Sequence, residues 1–373
     1  MHNRFIVEQK PFMALLSSMQ PICTKRTTLD ATSFIMVQVG HKELVLKSTD
    51  LEISLQASYL LKESDVVEPH SFLVSGRRLF ELVKELEGDI EFRCENNQLM
   101  LHSGTVDLAL NIKDAQEFPP FPERIENLMS LSAAGLLDML NKVGFLIPQN
   151  NANPALNGLL LEISATEFKM TTTDGHCLAQ VSSSQYTLPE TRTWLLPRRA
   201  IFEVKKILES APDTTIFLGI CGNQLVFSGE TFNFFTKVLA DQFPAYATIL
   251  STQGFNAARV DRTQLIKTLR RSSCLLSGQF LATQFHFDQS LVQVSIHNKE
   301  VGKLNEQLAL EEFDGSNIDI RFYAPYLLSG LQAFPDDKVR FYLKNSAKPI
   351  IFETKTEHEH LTYLVMPVAP THN

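Results

Sequence analysis

The chain has 373 residues, 44% apolar and 20% charged, with 34 basic against 42 acidic side chains and a net charge of −8. That composition excludes a disordered, collagen-like or disulfide-stapled protein, and the acidic balance excludes a uniformly basic nucleic-acid coat. The length exceeds one compact core and predicts two to four domains.

From the N-terminus, Met1-His-Asn-Arg-Phe-Ile-Val-Glu8 has no apolar h-region, and no apolar run approaches the ~20 residues needed to cross a bilayer. The five cysteines (Cys23, Cys94, Cys177, Cys221 and Cys274) are scattered and never form a CxxC pair. A soluble protein of the reducing cytoplasm, with no membrane partner, is expected. An uncharged helix is predicted near 11–20, then an alternating strand over 34–39. A second helix is expected across 76–87. Phe118-Pro-Pro-Phe-Pro-Glu123 reads as an extended junction, because Pro removes a backbone donor and disfavours helix in the residue before it.

Helices predicted near 132–142 and 198–209 flank the most distinctive local pattern, Thr171-Thr-Thr-Asp-Gly-His-Cys-Leu-Ala-Gln-Val181. Asp174-Gly175 between two alternating runs predicts a β-hairpin with a type I′ turn, which needs positive φ at both central residues. In the second helix Ile201, Val204 and Leu208 share one face, whereas Phe202 and its counterpart Phe80 fall on polar faces. Phe243-Pro-Ala-Tyr246 is a second extended junction. Helices across 261–272 and near 325–334, and a strand over 339–343, complete the pattern.

The chain also repeats itself. Residues 72–86 resemble 194–208 at a shift of 122, and Ser48-Thr49-Asp50 matches Thr172-Thr173-Asp174 at 124. Asn97-Gln98-Leu99 matches Asn223-Gln224-Leu225 at 126, and Glu117-Phe118-Pro119 matches Gln242-Phe243-Pro244 at 125. A fainter third copy starts at Phe322 and continues through 334–341. A third of the chain is about 124 residues, so three tandem domains of one α+β fold are expected, at 1–126, 127–254 and 255–373. Each should carry two helices against its sheets. The period is too long for a solenoid.

Four of the six helical segments gather positive charge. Segments 76–87, 132–143, 198–209 and 261–272 hold twelve basic and seven acidic residues, so they lean positive in an acidic protein. Such helices suit a phosphate backbone, and without a base-reading motif the contact should be sequence-independent. Solvated helix faces with internal Glu–Lys pairs explain the same charges.

Thr173-Asp174-Gly175-His176 with Leu178-Ala179, Leu156-Asn157-Gly158, the Phe243-Pro244 junction and Tyr363-Leu-Val-Met-Pro-Val368 together resemble the bacterial DNA polymerase III beta subunit, the sliding-clamp family. The resemblance spans the whole chain. It implies a head-to-tail homodimeric ring, with sheets outside and helices lining a hole that holds double-stranded DNA. It also implies a non-catalytic processivity role without a cofactor. Implied partners are the DNA polymerase III catalytic subunit, an ATP-dependent clamp loader and other proteins carrying a clamp-binding motif. Their peptides would enter a groove between the second and third domains. Carried onto this sequence, the groove comprises Leu156, Thr173, Gly175, His176, Cys177, Leu178, Pro244, Thr248, Ile249, Tyr323, Tyr326, Val365, Met366, Pro367 and Val368. DNA contacts would fall on Lys25, Arg26, Arg77, Arg78, Arg198 and Arg199, and the dimer contact on Leu108 and Leu110 facing Leu275 and Leu276. For each of these, core packing or a solvated charge is the alternative.

The sequence departs from the family at Cys177 and Thr248, where Arg is common, at Tyr323, where Asn is common, and in the tail Ala369-Pro-Thr-His-Asn373. A different class also stays open: a three-domain cytosolic enzyme using His176 and Cys177. Adjacent strand residues point to opposite faces, which weighs against it. Glu357-His-Glu-His360 reads as a polar edge strand before a metal site. Gly302-Lys303-Leu304 lacks the loop of a nucleotide-binding motif, so ring opening would depend on an ATP-driven partner.

Overall fold

The computed structural model describes residues 4–210, 214–276 and 282–368. Six α-helices alternate with β-strands: α1 Gln9–Cys23, α2 Gly76–Lys84, α3 Ala133–Gly144, α4 Arg198–Ser210, α5 Arg262–Ser273 and α6 Ala324–Leu331. The first stretch holds β1 Arg4–Glu8, β2 Phe34–Val39, β3 Glu43–Thr49, β4 Ile53–Leu60, β5 Glu63–Ser64, β6 His70–Ser75, β7 Asp89–Glu95, β8 Gln98–Ser103 and β9 Val106–Asp114. The middle holds β10 Glu126–Ser132, β11 Gly158–Ile163, β12 Phe168–Thr173, β13 Cys177–Ser183, β14 Arg192–Pro197, β15 Thr215–Cys221, β16 Gln224–Ser228 and β17 Phe232–Lys237. The last holds β18 Asn256–Asp261, β19 Thr283–Phe287, β20 Leu291–Asn298, β21 Gly302–Glu311, β22 Ile318–Phe322, β23 Lys338–Leu343, β24 Ile350–Lys355 and β25 Glu359–Val365.

Two helices therefore fall to each predicted copy, and the α+β expectation stands. The compact units follow other boundaries. One comprises residues 1–137 with 202–238, the other 138–201 with 239–373, so the middle copy is shared and α3 and α4 each run from one unit into the other.

The first unit is built on a sheet of order β10-β15-β16-β17-β4-β3-β2-β6-β9-β8-β7-β1-β5. Along β2 the residues alternate between half-buried and buried, as a sheet with one covered face requires. In α2 the buried residues include Leu79 and Val83, while Arg77, Arg78, Glu81 and Lys84 face solvent. Phe12 of α1 packs edge-on against Phe92 and Tyr59. The seam in this sheet joins the fourth strand of copy one, β4, to the last strand of copy two, β17, with Phe234 opposite Leu55 and Thr236 opposite Ile53. Phe234 and Phe235 are buried there, each worth about 1.5–3 kcal/mol of apolar transfer.

The second unit carries a sheet of order β14-β11-β12-β13-β25-β24-β23-β18-β21-β20-β19-β22. Its seam follows the same rule. The fourth strand of copy two, β13, pairs with the last strand of copy three, β25, with Cys177 opposite Val365 and Ala179 opposite Tyr363.

Three expectations need correction. The Asp174-Gly175 hairpin forms, but only Gly175 has positive φ (93°), so the turn is not type I′. That geometry occurs instead at Asn96-Asn97, with φ of 47° and 65° between β7 and β8. His176 lies in the turn and Cys177 opens β13, so the two do not alternate along one strand. Of Glu357-His-Glu-His360 only the last two residues are in β25, and that strand is interior, paired on both sides with β13 and β24.

Candidate functional site

The turn between β12 and β13 organises the predicted groove. The Asp174 Oδ1 atom accepts from the amides of His176 (2.8 Å) and Cys177 (2.7 Å). Thr173 Oγ1 accepts from Gly175 N at 3.2 Å and donates to Cys177 O at 2.6 Å. Both side chains thus replace the backbone partners that a tight turn removes. A Cβ at Gly175 would find a single neighbour, Leu156 Cδ1 at 3.9 Å, so the space over the turn is open.

Leu156 reaches that position from a short 3-10 turn, Pro154–Leu156, capped by Asn153. Asn157 ties down the preceding loop, accepting from Asn151 N at 2.7 Å and donating to Asn151 O at 3.0 Å. The signal for this loop lies in the sequence itself, in Asn150, Asn151, Asn153 and Asn157.

Two further elements meet the turn. His176 O accepts from Met366 N at 2.9 Å, which fastens the end of β25 beside it. The His176 ring stacks on Tyr326 of α6, with centroids 5.6 Å apart and planes 18° apart. Tyr323 meets Tyr326 edge-on at 5.0 Å. Tyr326 is held from below by Tyr363, whose hydroxyl donates to Tyr326 O at 2.7 Å. Tyr363 fits only because residue 330 is glycine: a Cβ there would lie 1.9 Å from Tyr363 Cε1. Sequence reasoning missed Gly330, since nothing local predicts the aromatic ring that crosses it.

The groove residues divide into floor and rim. Cys177, Leu178 and Val365 are at most 2% exposed, and Leu178 packs with Ile351 and Leu364. Tyr246 and Leu250 cover that cluster from the segment that also carries Thr248 and Ile249. Ile249 (44%) and Met366 (38%) are exposed apolar side chains. Pro244 and Thr248 line a neighbouring cleft of about 750 Å3 with Tyr246, whose hydroxyl donates to Glu162 at 2.5 Å.

Electrostatics set the enzyme reading aside. Burial pushes the Cys177 thiol far above its ordinary pKa, with Asp174 adding to the shift, so no thiolate forms near neutrality. The His176 ring is engaged with Tyr326 rather than with the thiol. Burial likewise raises the Tyr326 phenol.

The predicted DNA contacts occupy varied surroundings. Lys25 Nζ pairs with Glu52 and lies 3.6 Å from the fully buried Asp50 carboxylate. Arg26 beside it is exposed. Arg77 and Arg78 are about 70% exposed and share Glu81. Arg198 Nε donates to Ile147 O at 3.0 Å, and Arg199 is half-buried. Phe202, unexplained in sequence terms, lies under the Lys205 ammonium at 5.7 Å, and burial lowers the pKa of that lysine. Leu108, Leu110, Leu275 and Leu276 are all half-buried. The altered tail, 369–373, lies outside the described residues.

Tandem α+β copies joined through strand seams define a clamp-type scaffold. Matches to the DNA polymerase III beta subunit cover residues 3–122 (N-terminal domain), 130–245 (central domain) and 248–369 (C-terminal domain), and the chain belongs to this family. The family is one of processivity factors, not catalysts. The chain is 27% identical over 369 residues to the beta sliding clamp of Pseudomonas aeruginosa, covering 98% of this chain and 99% of that one. A crystal structure of the Pseudomonas aeruginosa clamp bound to griselimycin aligns with TM-score 0.90 at 25% identity, over 99% and 100% of the two chains. The Bacillus subtilis clamp has the same fold, with TM-score 0.90 at 20% identity, over 99% and 100%. Among the described residues no helix is long and apolar enough to cross a membrane.

Proposed function

We propose that two copies of this chain close head to tail into a ring around duplex DNA. The ring tethers the DNA polymerase III catalytic subunit, and other proteins with clamp-binding peptides, to the template in the cytoplasm. The three copies, 1–126, 127–254 and 255–373, are its domains. Tethering raises the local concentration of a partner without a tight chemical bond to DNA. The positively inclined helices, with Arg26, Arg77, Arg78, Arg198 and Arg199 as candidate contacts, hold phosphates through mobile, sequence-independent interactions. An ATP-dependent loader opens the ring.

The seam rule carries this reading. The fourth strand of one copy pairs with the last strand of the next, twice. Of the strands this rule pairs, two keep a half-open edge among the described residues: the first part of β9, last strand of copy one, and the first part of β21, fourth strand of copy three. Each chain offers one of each, so two chains satisfy both of these edges twice. Copying the register of the first seam puts Leu108 opposite Leu304 of the partner subunit, in the place of Phe234 opposite Leu55. Leu275 belongs to the same edge, because its carbonyl accepts from Asn298 at the β20–β21 turn (2.8 Å).

Retention on DNA tests the function. After loading, the protein should stay on a closed circle and run off once the circle is cut; equal retention on both refutes the ring. Replacing Arg77 or Arg78 by Ala should weaken DNA binding alike on every sequence and lower the salt slope by about 1.

A further inference from the structure

The strand β22 closes one end of the second unit's sheet, and its outer edge is only partly used. Its pairing with β19 puts Phe322, Ile320 and Ile318 opposite Thr283, Phe285 and Phe287. Arg321 O accepts from Val368 N at 2.8 Å on the other side. Backbone N–H and C=O of one strand residue point the same way, so Asp319 and Arg321 direct their main chain to this outer edge. Among the described residues Val368 alone bonds to it. Beside the edge lies a cleft of about 770 Å3, lined by Gln284, Asp319, Arg321, Ser346, Pro367 and Val368.

The cleft is continuous with the peptide groove, because Met366, Pro367 and Val368 border both. Its charges are unequal. Asp319 is occupied by His286, at 2.8 Å. The half-buried Arg321 has no ion pair among the described residues. An unpaired guanidinium beside an open strand edge suits an extended chain with a carboxylate, which a planar fork binds bidentately.

We propose that β22 is a second track for the bound partner peptide. The residues flanking its groove anchors run extended along Asp319 and Arg321, and an acidic side chain among them pairs with Arg321. The track rests on the groove reading, since the anchors deliver the flank to it. It makes affinity depend on acidity outside the anchors, which the groove's apolar floor cannot sense.

The test uses the full chain and a six-residue peptide carrying one aliphatic and one aromatic anchor, measured by fluorescence anisotropy. The same peptide is extended at either end by Glu-Glu or by Gln-Gln. At one end, Glu-Glu should bind about five-fold tighter than Gln-Gln, and the gain should shrink as salt rises. Arg321→Gln should abolish that gain and leave the six-residue peptide unchanged. N-methylation of the flanking amides should weaken the Glu-Glu peptide further. Equal binding of the two extensions, or a gain that survives Arg321→Gln, overturns the track while the groove stands. Failure of the six-residue peptide to bind overturns the groove reading and the track with it.

Discussion

The two internal seams start from one turn and end in different surfaces. In the first, Asp50 Oδ1 accepts from the amides of Glu52 (3.0 Å) and Ile53 (2.8 Å), and Thr49 Oγ1 bonds Leu51 N and Ile53 O at 3.1 Å each. Asp174 and Thr173 repeat that pattern bond for bond in the second. The residue after Asp then separates them. Leu51 is forced to φ 74°, whereas Gly175 adopts 93° freely. Next in line, Glu52 closes with Asp50 on Lys25, while His176 stacks on Tyr326. The turn is a fixture of the repeat, and the groove arises from the two residues that follow its aspartate.

The largest disruption should come from Gly330→Ala. Tyr363 has no room to give way, so the second unit should lose about 3 kcal/mol or more in urea unfolding. Exchange protection should fall in β13 and β25, with β4 and β17 unaffected. Next, Asp174→Ala and Asp50→Ala each strip two amides of their acceptor and should each cost about 2–3 kcal/mol. Only the former should weaken peptide binding, by more than tenfold. If Asp50→Ala weakens it equally, the contrast between the seams fails.

Smaller effects sharpen the contrast. Thr172 Oγ1 donates to Val143 O at 2.8 Å, whereas the hydroxyl of its counterpart Ser48 is buried with no partner among the described residues. Thr172→Val should therefore cost about 1 kcal/mol, while Ser48→Ala should be neutral or slightly stabilising. Leu51→Gly should stabilise the first seam by about 0.5 kcal/mol, relief of strain outweighing the added chain entropy. The smallest effect is one of pH. The His360 hydrogen bond, with help from Tyr342, holds the Glu353 carboxyl below its ordinary pKa against the opposing effect of burial. A depressed carboxyl contributes stability above its unfolded pKa and loses it as the pH falls through the folded value. Glu353→Gln should flatten that part of the acid unfolding curve, lowering stability slightly at neutral pH and changing little below the folded value.

Periodicity and repeat spacing made most of the architecture legible. The six helices were placed within a few residues, because each buries a stripe of its own sequence. The family motif located the turn at Asp174, although its type was misjudged: the side chains of Thr173 and Asp174 hold it, so one positive φ suffices. What stayed hidden depends on distant partners. Gly330 matters through a ring 33 residues away in sequence, and Lys25 reads as a free charge until Asp50 and Glu52 fold onto it. Compact units that divide the middle copy were equally invisible, since strand pairing between copies leaves no local trace.

In the proposed ring the half-open edges that β9 and β21 show among the described residues differ from each other, and that inequality carries a hazard. Unlike edges that join head to tail can add subunits without end, and only the angle between them makes assembly stop at a closed pair. A substitution that alters this angle while keeping both edges adhesive would yield fibres rather than monomers.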